Sequence, residues 1–222
     1  MDALVATATD VARIAGEATP RIVLVPTAAA RQRPDVAAMH GERAFVAAAA
    51  RAGTPIDVGI AGILSRADAA DPRAVAPLET AHLVHFPGGD PDQIPTVLRD
   101  TPAWMAIRRA HDAGACIAGA SAGAMAMAER CWTRAGAIDG LGLLRGFAVL
   151  PHYAPGRLAA WRTGIETADG ARPLAWLGID EQTLVIGRPG GEWRVAGRGR
   201  GHVIPAAGAT RSAGSGELLD LG

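Results

Sequence analysis

The 222-residue sequence predicts an α/β protein: a mostly parallel sheet flanked by helices on both faces, with short antiparallel strands toward the C-terminus. Three observations carry this expectation. Arg21-Ile22-Val23-Leu24-Val25-Pro26 is an uninterrupted apolar run with a turn signal behind it, as in a strand buried on both faces. Strand-like and helix-like stretches alternate from there to residue 124. Residues 115–118, a short apolar run, meet a run of helix formers at 125–129 across Gly119-Ala120-Ser121-Ala122-Gly123-Ala124, a sharp strand-to-helix junction.

Each element has its own reason. Residues 1–20 give no clear assignment. Residues 34–53 read as a helix, opened by Pro34 and closed by Gly53. Residues 56–60 form a second strand, and 81–86 a third that runs straight into Pro87-Gly88-Gly89-Asp90. Residues 102–113 are helical, with Gly114 past their end. Beyond the junction, 146–151 is a strand ending at His152, and 158–167 is helical. Residues 174–179, 183–186 and 193–195 are short strands between Gly, Asp and Pro turns, the expected antiparallel extension. The tail, 206–222, is rich in Gly, Ser and Ala, has no hydrophobic period, and is expected to be partly mobile. No internal repeat or linker marks a boundary, so residues 1–222 are expected to be one α/β domain.

Composition narrows the partners. Charged residues make up 20% of the chain, and 22 basic residues balance 22 acidic ones, which gives no electrostatic footprint for nucleic acid or an anionic membrane. A small or neutral partner is expected. Cys116 and Cys131 have neither the spacing of a redox pair nor that of a zinc site, so they read as buried small side chains, and neither a metal nor a cofactor is expected. The N-terminus has no basic leader and no stretch is apolar for long enough to span a bilayer, which predicts a soluble, cytoplasmic protein.

In an open α/β sheet, ligands bind at the carboxyl ends of the strands, and four chemistry-bearing features fall there together. Gly88-Gly89-Asp90 lets backbone N–H groups approach a substrate oxygen closely. Ser121 sits between small residues, as a nucleophile on a strained turn must, with the start of a helix behind it to favour an anion. His152, directly after the strand that Pro151 ends, is placed to be the base that a serine hydroxyl needs at neutral pH. Asp180 and Glu181 end another strand, and a carboxylate there can orient the imidazole.

Phe86-Pro87-Gly88-Gly89-Asp90, the junction around Ser121, Pro151-His152-Tyr153 and Gly178-Ile179-Asp180-Glu181-Gln182-Thr183 together resemble, in order, the motifs of the aspartyl dipeptidase and cyanophycinase family of serine peptidases. The resemblance covers roughly residues 21–195. It implies a flavodoxin-like, class I glutamine amidotransferase-like fold, with Ser121 as nucleophile, His152 as general base and Glu181 as orienting carboxylate. The N–H groups of Gly89 and Ala122 would form the oxyanion hole, and Gly88, Asp90 and Arg157 would contact a small peptide substrate. Asp180 is the alternative third member, and a homodimer stays open as the assembly.

The chain departs from the family where specificity is set. The family usually begins with a Gly-rich first strand, which residues 1–16 lack. The segment after His152 is short and apolar around Arg157 and Arg162, so a weaker preference for an acidic substrate side chain is expected. Two other readings compete. Ser121, Asp180 and the later His202 follow the serine, acid, histidine order of α/β-hydrolase esterases. A non-catalytic amidotransferase-like module would keep the junction for packing alone. A glutaminase fits less well, because amidotransferases of this fold carry a cysteine where Ser121 stands.

Overall fold

Buried apolar runs become the sheet of the N-terminal half. A computed structural model describes residues 1–133, 135–154, 156, 158–159, 161, 174–188 and 190–221. The chain falls into two compact units, Met1–Gly123 and Ala124–Gly222.

In the first unit, β1 (Arg21–Leu24), β2 (Asp57–Ile60), β3 (Leu83–Phe86) and β4 (Cys116–Gly119) form a four-stranded sheet in the order β2-β1-β3-β4, with every pair parallel. Ile22, Leu24, Leu83 and Phe86 are fully buried, as a sheet covered on both faces requires. The edge strand β2 is the exception, with Asp57 and Ile60 exposed. The first strand stops at Leu24, short of the expected Pro26, because Pro26–Ala29 form a 3₁₀ turn.

Five helices belong to this unit: α1 (Asp2–Ile14), α2 (Pro34–Ala52), α3 (Pro72–Glu79), α4 (Gln93–Leu98) and α5 (Pro102–Asp112). The predicted punctuation holds at the ends of α2 and α5. Gly53 closes α2 in the left-handed conformation, φ 63°, and returns its N–H to Ala49 and Ala50. Pro102 opens α5, and the Thr101 hydroxyl accepts from the Trp104 N–H at 3.3 Å. The third and fourth helices are new relative to the sequence reading, and so is the first. Its buried side is Leu4, Val5, Ala8 and Ala12, a helical stripe made half of alanine.

The second unit is built on a six-stranded mixed sheet, β12-β11-β8-β7-β5-β6, and a three-stranded antiparallel one, β13-β10-β9. Its strands are β5 (Ala128–Thr133), β6 (Gly136–Asp139), β7 (Leu144–Pro151), β8 (Ala175–Ile179), β9 (Thr183–Gly187), β10 (Trp193–Gly197), β11 (Gly201–Ile204), β12 (Arg211–Ala213) and β13 (Leu218–Leu219). Strands β5, β7 and β8 are parallel to one another, and the remaining pairs are antiparallel, as the sequence led one to expect of this half. Alternation along β7 separates two cores. Phe147 and Val149 join Leu177, Val195, Val203 and Leu219, whereas Ala148 and Leu150 join Trp176 and Ile204.

One expectation needs correction here. The helix after Ser121 is short: α6 spans Ala122–Met127, and β5 begins at Ala128. The cause is backbone competition. The N–H groups of Gly140, Leu141, Gly142 and Leu143 bond to the carbonyls of Glu129, Ala126, Ala128 and Met127, which a longer helix would have used itself. The tail contributes β12 and β13, paired with β11 and β10. The expected helix at 158–167 lies largely outside the described residues. No helix among the described residues is long and apolar enough to cross a membrane.

Candidate active site

The residues singled out belong to both units, and each set has its own geometry. In the first unit, Ser121 follows β4 at φ 51°, a left-handed conformation that a residue with a side chain adopts only at a cost. The turn is pinned by the Ala120 N–H, which donates to Phe86 O at 3.0 Å. Gly123 is required by close approach, since a Cβ there would lie 2.2 Å from Phe86 O. The helix behind Ser121 has only six residues, so its macrodipole is small and its first N–H groups are what remain of the expected anion preference.

The structure brings the Gly-Gly turn against this serine. A Cβ on Gly88 would come 3.3 Å from Ser121 Cβ. Gly89, at φ 155°, tolerates no side chain, because its Cβ would meet Ala28 O at 2.2 Å. The Asp90 N–H donates to that same carbonyl at 2.7 Å, which fixes the exit of the turn. Cys116, on β4, is pushed up to about 11 by burial and is therefore a thiol, not a competing nucleophile.

In the second unit, His152 leaves β7 at φ 52°, and its Nδ1 lies 2.6 Å from Glu181 Oε1. A carboxylate only accepts, so Nδ1 carries the proton and Nε2 is the basic nitrogen. Asp180, the adjacent carboxylate, is engaged elsewhere. Its Oδ2 accepts from the Arg200 N–H at 2.9 Å and its Oδ1 lies 3.0 Å from His202 Nε2. The other nitrogen of His202, Nδ1, is 2.7 Å from the Ser212 hydroxyl. Arg157 and Arg162 lie outside the described residues.

Sequence reasoning named His202 only as a rival base and missed Ser212 entirely. The two meet as cross-strand partners in the β11–β12 ladder, and the second strand lies in a tail whose sequence has no strand period. Among the described residues, no group of three or more His, Cys, Asp or Glu side chains is arranged to hold a metal ion.

Comparisons with known proteins bear on this arrangement. Residues 2–190 match the model of peptidase family S51. No curated protein matches the chain. Among solved structures, a peptidase from an acI-B1 Actinobacterium is similar at 25% identity and a TM-score of 0.77, over 98% of this chain and 88% of that one. A Listeria monocytogenes EGD-e protein named after peptidase E is similar in fold, at 14% identity and a TM-score of 0.54, over 95% and 94% of the two chains. With a serine on a strained turn, a Gly-Gly turn against it, and a family match over most of its length, the chain belongs to peptidase family S51.

Proposed function

We propose that this peptidase cleaves a small peptide or isopeptide amide through an acyl-enzyme, with Ser121 as nucleophile, His152 as general base and Glu181 as the carboxylate that orients it. Ser121 Oγ would attack the carbonyl carbon while His152 Nε2 takes the hydroxyl proton, and the same proton would then pass to the departing amine. Water, deprotonated by His152 in turn, would attack the ester, releasing the acid and restoring the serine. The N–H groups of Gly89 and Ala122 are assigned to the oxyanion, and Gly88 and Asp90 to the substrate backbone.

The observation that carries this reading is the pairing of His152 Nδ1 with Glu181 Oε1 at 2.6 Å while Asp180 is held by Arg200 and His202. The Asp180–His202 bond fits the esterase alternative equally, but the remaining nitrogen of His202, Nδ1, lies on the Ser212 hydroxyl, which weighs against it. Arg157 stays the candidate contact for an acidic side chain, and neutral side chains should be accepted too. The whole chain, 1–222, is read as one working hydrolase, with the family match running over residues 2–190.

The test is covalent labelling with a fluorophosphonate, followed by turnover on a dipeptide panel. Ser121→Ala should abolish labelling and lower turnover by on the order of 10³-fold or more, and His152→Ala should cost nearly as much, with the double variant no worse than either. A Ser121→Ala protein that keeps most of its activity would sink the nucleophile assignment.

A further inference from the structure

The His152–Glu181 ion pair is open to solvent. Its side chains are 43% and 74% exposed, and an exposed ion pair holds two flexible groups weakly, because screening and rotamer entropy offset the attraction. Further restraint lies one residue away on each side. Tyr153, next to His152, donates its backbone N–H to Ile179 O at 3.0 Å. Its ring lies over Gly178, where a Cβ would come 2.6 Å from a ring carbon, and stacks on His202 with centroids 4.3 Å apart. Asp180, next to Glu181, bonds His202 Nε2 at 3.0 Å. His202 is the cross-strand partner of Gly178 on one side and of Ser212 on the other, and the Ser212 hydroxyl fixes its ring through Nδ1. One mostly buried imidazole thus touches the chain neighbours of both members of the pair.

We infer that His202 is a positioning residue for the hydrolysis, fixing through Tyr153 and Asp180 the two backbone segments that present His152 and Glu181. The inference rests on the triad reading above. It assigns His202 no proton transfer, because its nitrogens serve Asp180 and Ser212.

The experiment is the rate of fluorophosphonate inactivation of the full chain, resolved into kinact and KI. His202→Phe keeps a ring against Tyr153 but loses Asp180, and should lower kinact about tenfold or more with KI within about twofold, since small misplacements of reacting groups are costly. His202→Gln, whose amide can reach Asp180, should recover to within about threefold of the parent. In a Glu181→Gln background, His202→Phe should add no more than about twofold, because a residue acting through Glu181 has nothing left to position. Asp180→Ala, which removes the oxygen that His202 Nε2 meets, should reproduce the kinact loss if the phenylalanine variant fails to fold.

A His202→Phe or Asp180→Ala protein with parental kinact would overturn the positioning role alone. So would a loss that multiplies fully onto Glu181→Gln. Absence of Ser121 labelling in the parent, or parental labelling of His152→Ala, would instead overturn the triad reading and the inference with it.

Discussion

Ser121 and His152 share an unusual backbone state, φ 51° and φ 52°, and neither is a glycine. A residue held in that region costs on the order of 1–3 kcal/mol, so its surroundings must over-determine it. At Ser121 they do so through Gly123, whose absent side chain lets the turn close on Phe86 O. Gly123→Ala should therefore destabilise the protein by about 1–3 kcal/mol, as overpacking does, and should reduce the rate at which Ser121 is labelled. Gly59→Ala is the control, since nothing lies within 4 Å of its added carbon. Thermal midpoints of the two variants decide the point, and equal midpoints would show that the turn relaxes at little cost.

At the scale of elements, the caps do what the sequence prescribes, and one of them isolates a helix terminus for measurement. Asp71 precedes α3 and its Oδ1 accepts from the Arg73 N–H at 2.9 Å, satisfying one of the four donors that a helix start leaves over. Asp71→Ala should cost about 1 kcal/mol in urea unfolding, and Asp71→Ser should recover most of it. Such a small, local loss should leave the rate of Ser121 labelling unchanged. Strand β5 shows the opposite case, where tertiary competition overrides local preference. Its first residue follows a run of helix formers, and the 140–143 segment takes their carbonyls.

The stability of the whole molecule carries a buried histidine. His85 on β3 is 4% exposed, meets Phe45 edge-on at a centroid distance of 5.3 Å, and leaves its Nδ1 without a hydrogen-bond partner. Burial holds its pKa at about 4 instead of the ordinary 6.5. The unfolded chain therefore binds the proton first as pH falls. Stability is unaffected above the unfolded value and declines between 6.5 and about 4, where the folded imidazole also protonates. The total loss is about 3 kcal/mol. His82, lowered by burial, acts in the same direction. Urea unfolding at pH 7 and pH 5 should show a smaller difference for His85→Leu than for the parent. At pH 7 the leucine variant should be no less stable, because an orphaned polar atom is removed from the core. An unchanged pH dependence in His85→Leu would place the acid sensitivity elsewhere.

Much of the first unit is determined by the sequence alone, because its signals are local. A β-branched run makes β1, Pro34 and Gly53 bound α2, Pro102 opens α5, and small residues around Ser121 allow the strained turn. The order of the four motifs likewise suffices to indicate the family. Only tertiary structure decides the rest, and the reason is the same at each place. The thin alanine stripe of α1 acquires meaning only when packed, and β5 is set by hydrogen bonds from residues 140–143, beyond the reach of its own local preference. Two adjacent carboxylates, Asp180 and Glu181, look equivalent in sequence, and the fold gives each a different histidine. Ser212 reaches His202 only through the register of two strands, and cross-strand register depends on pairing across distance, which no local pattern in the tail encodes.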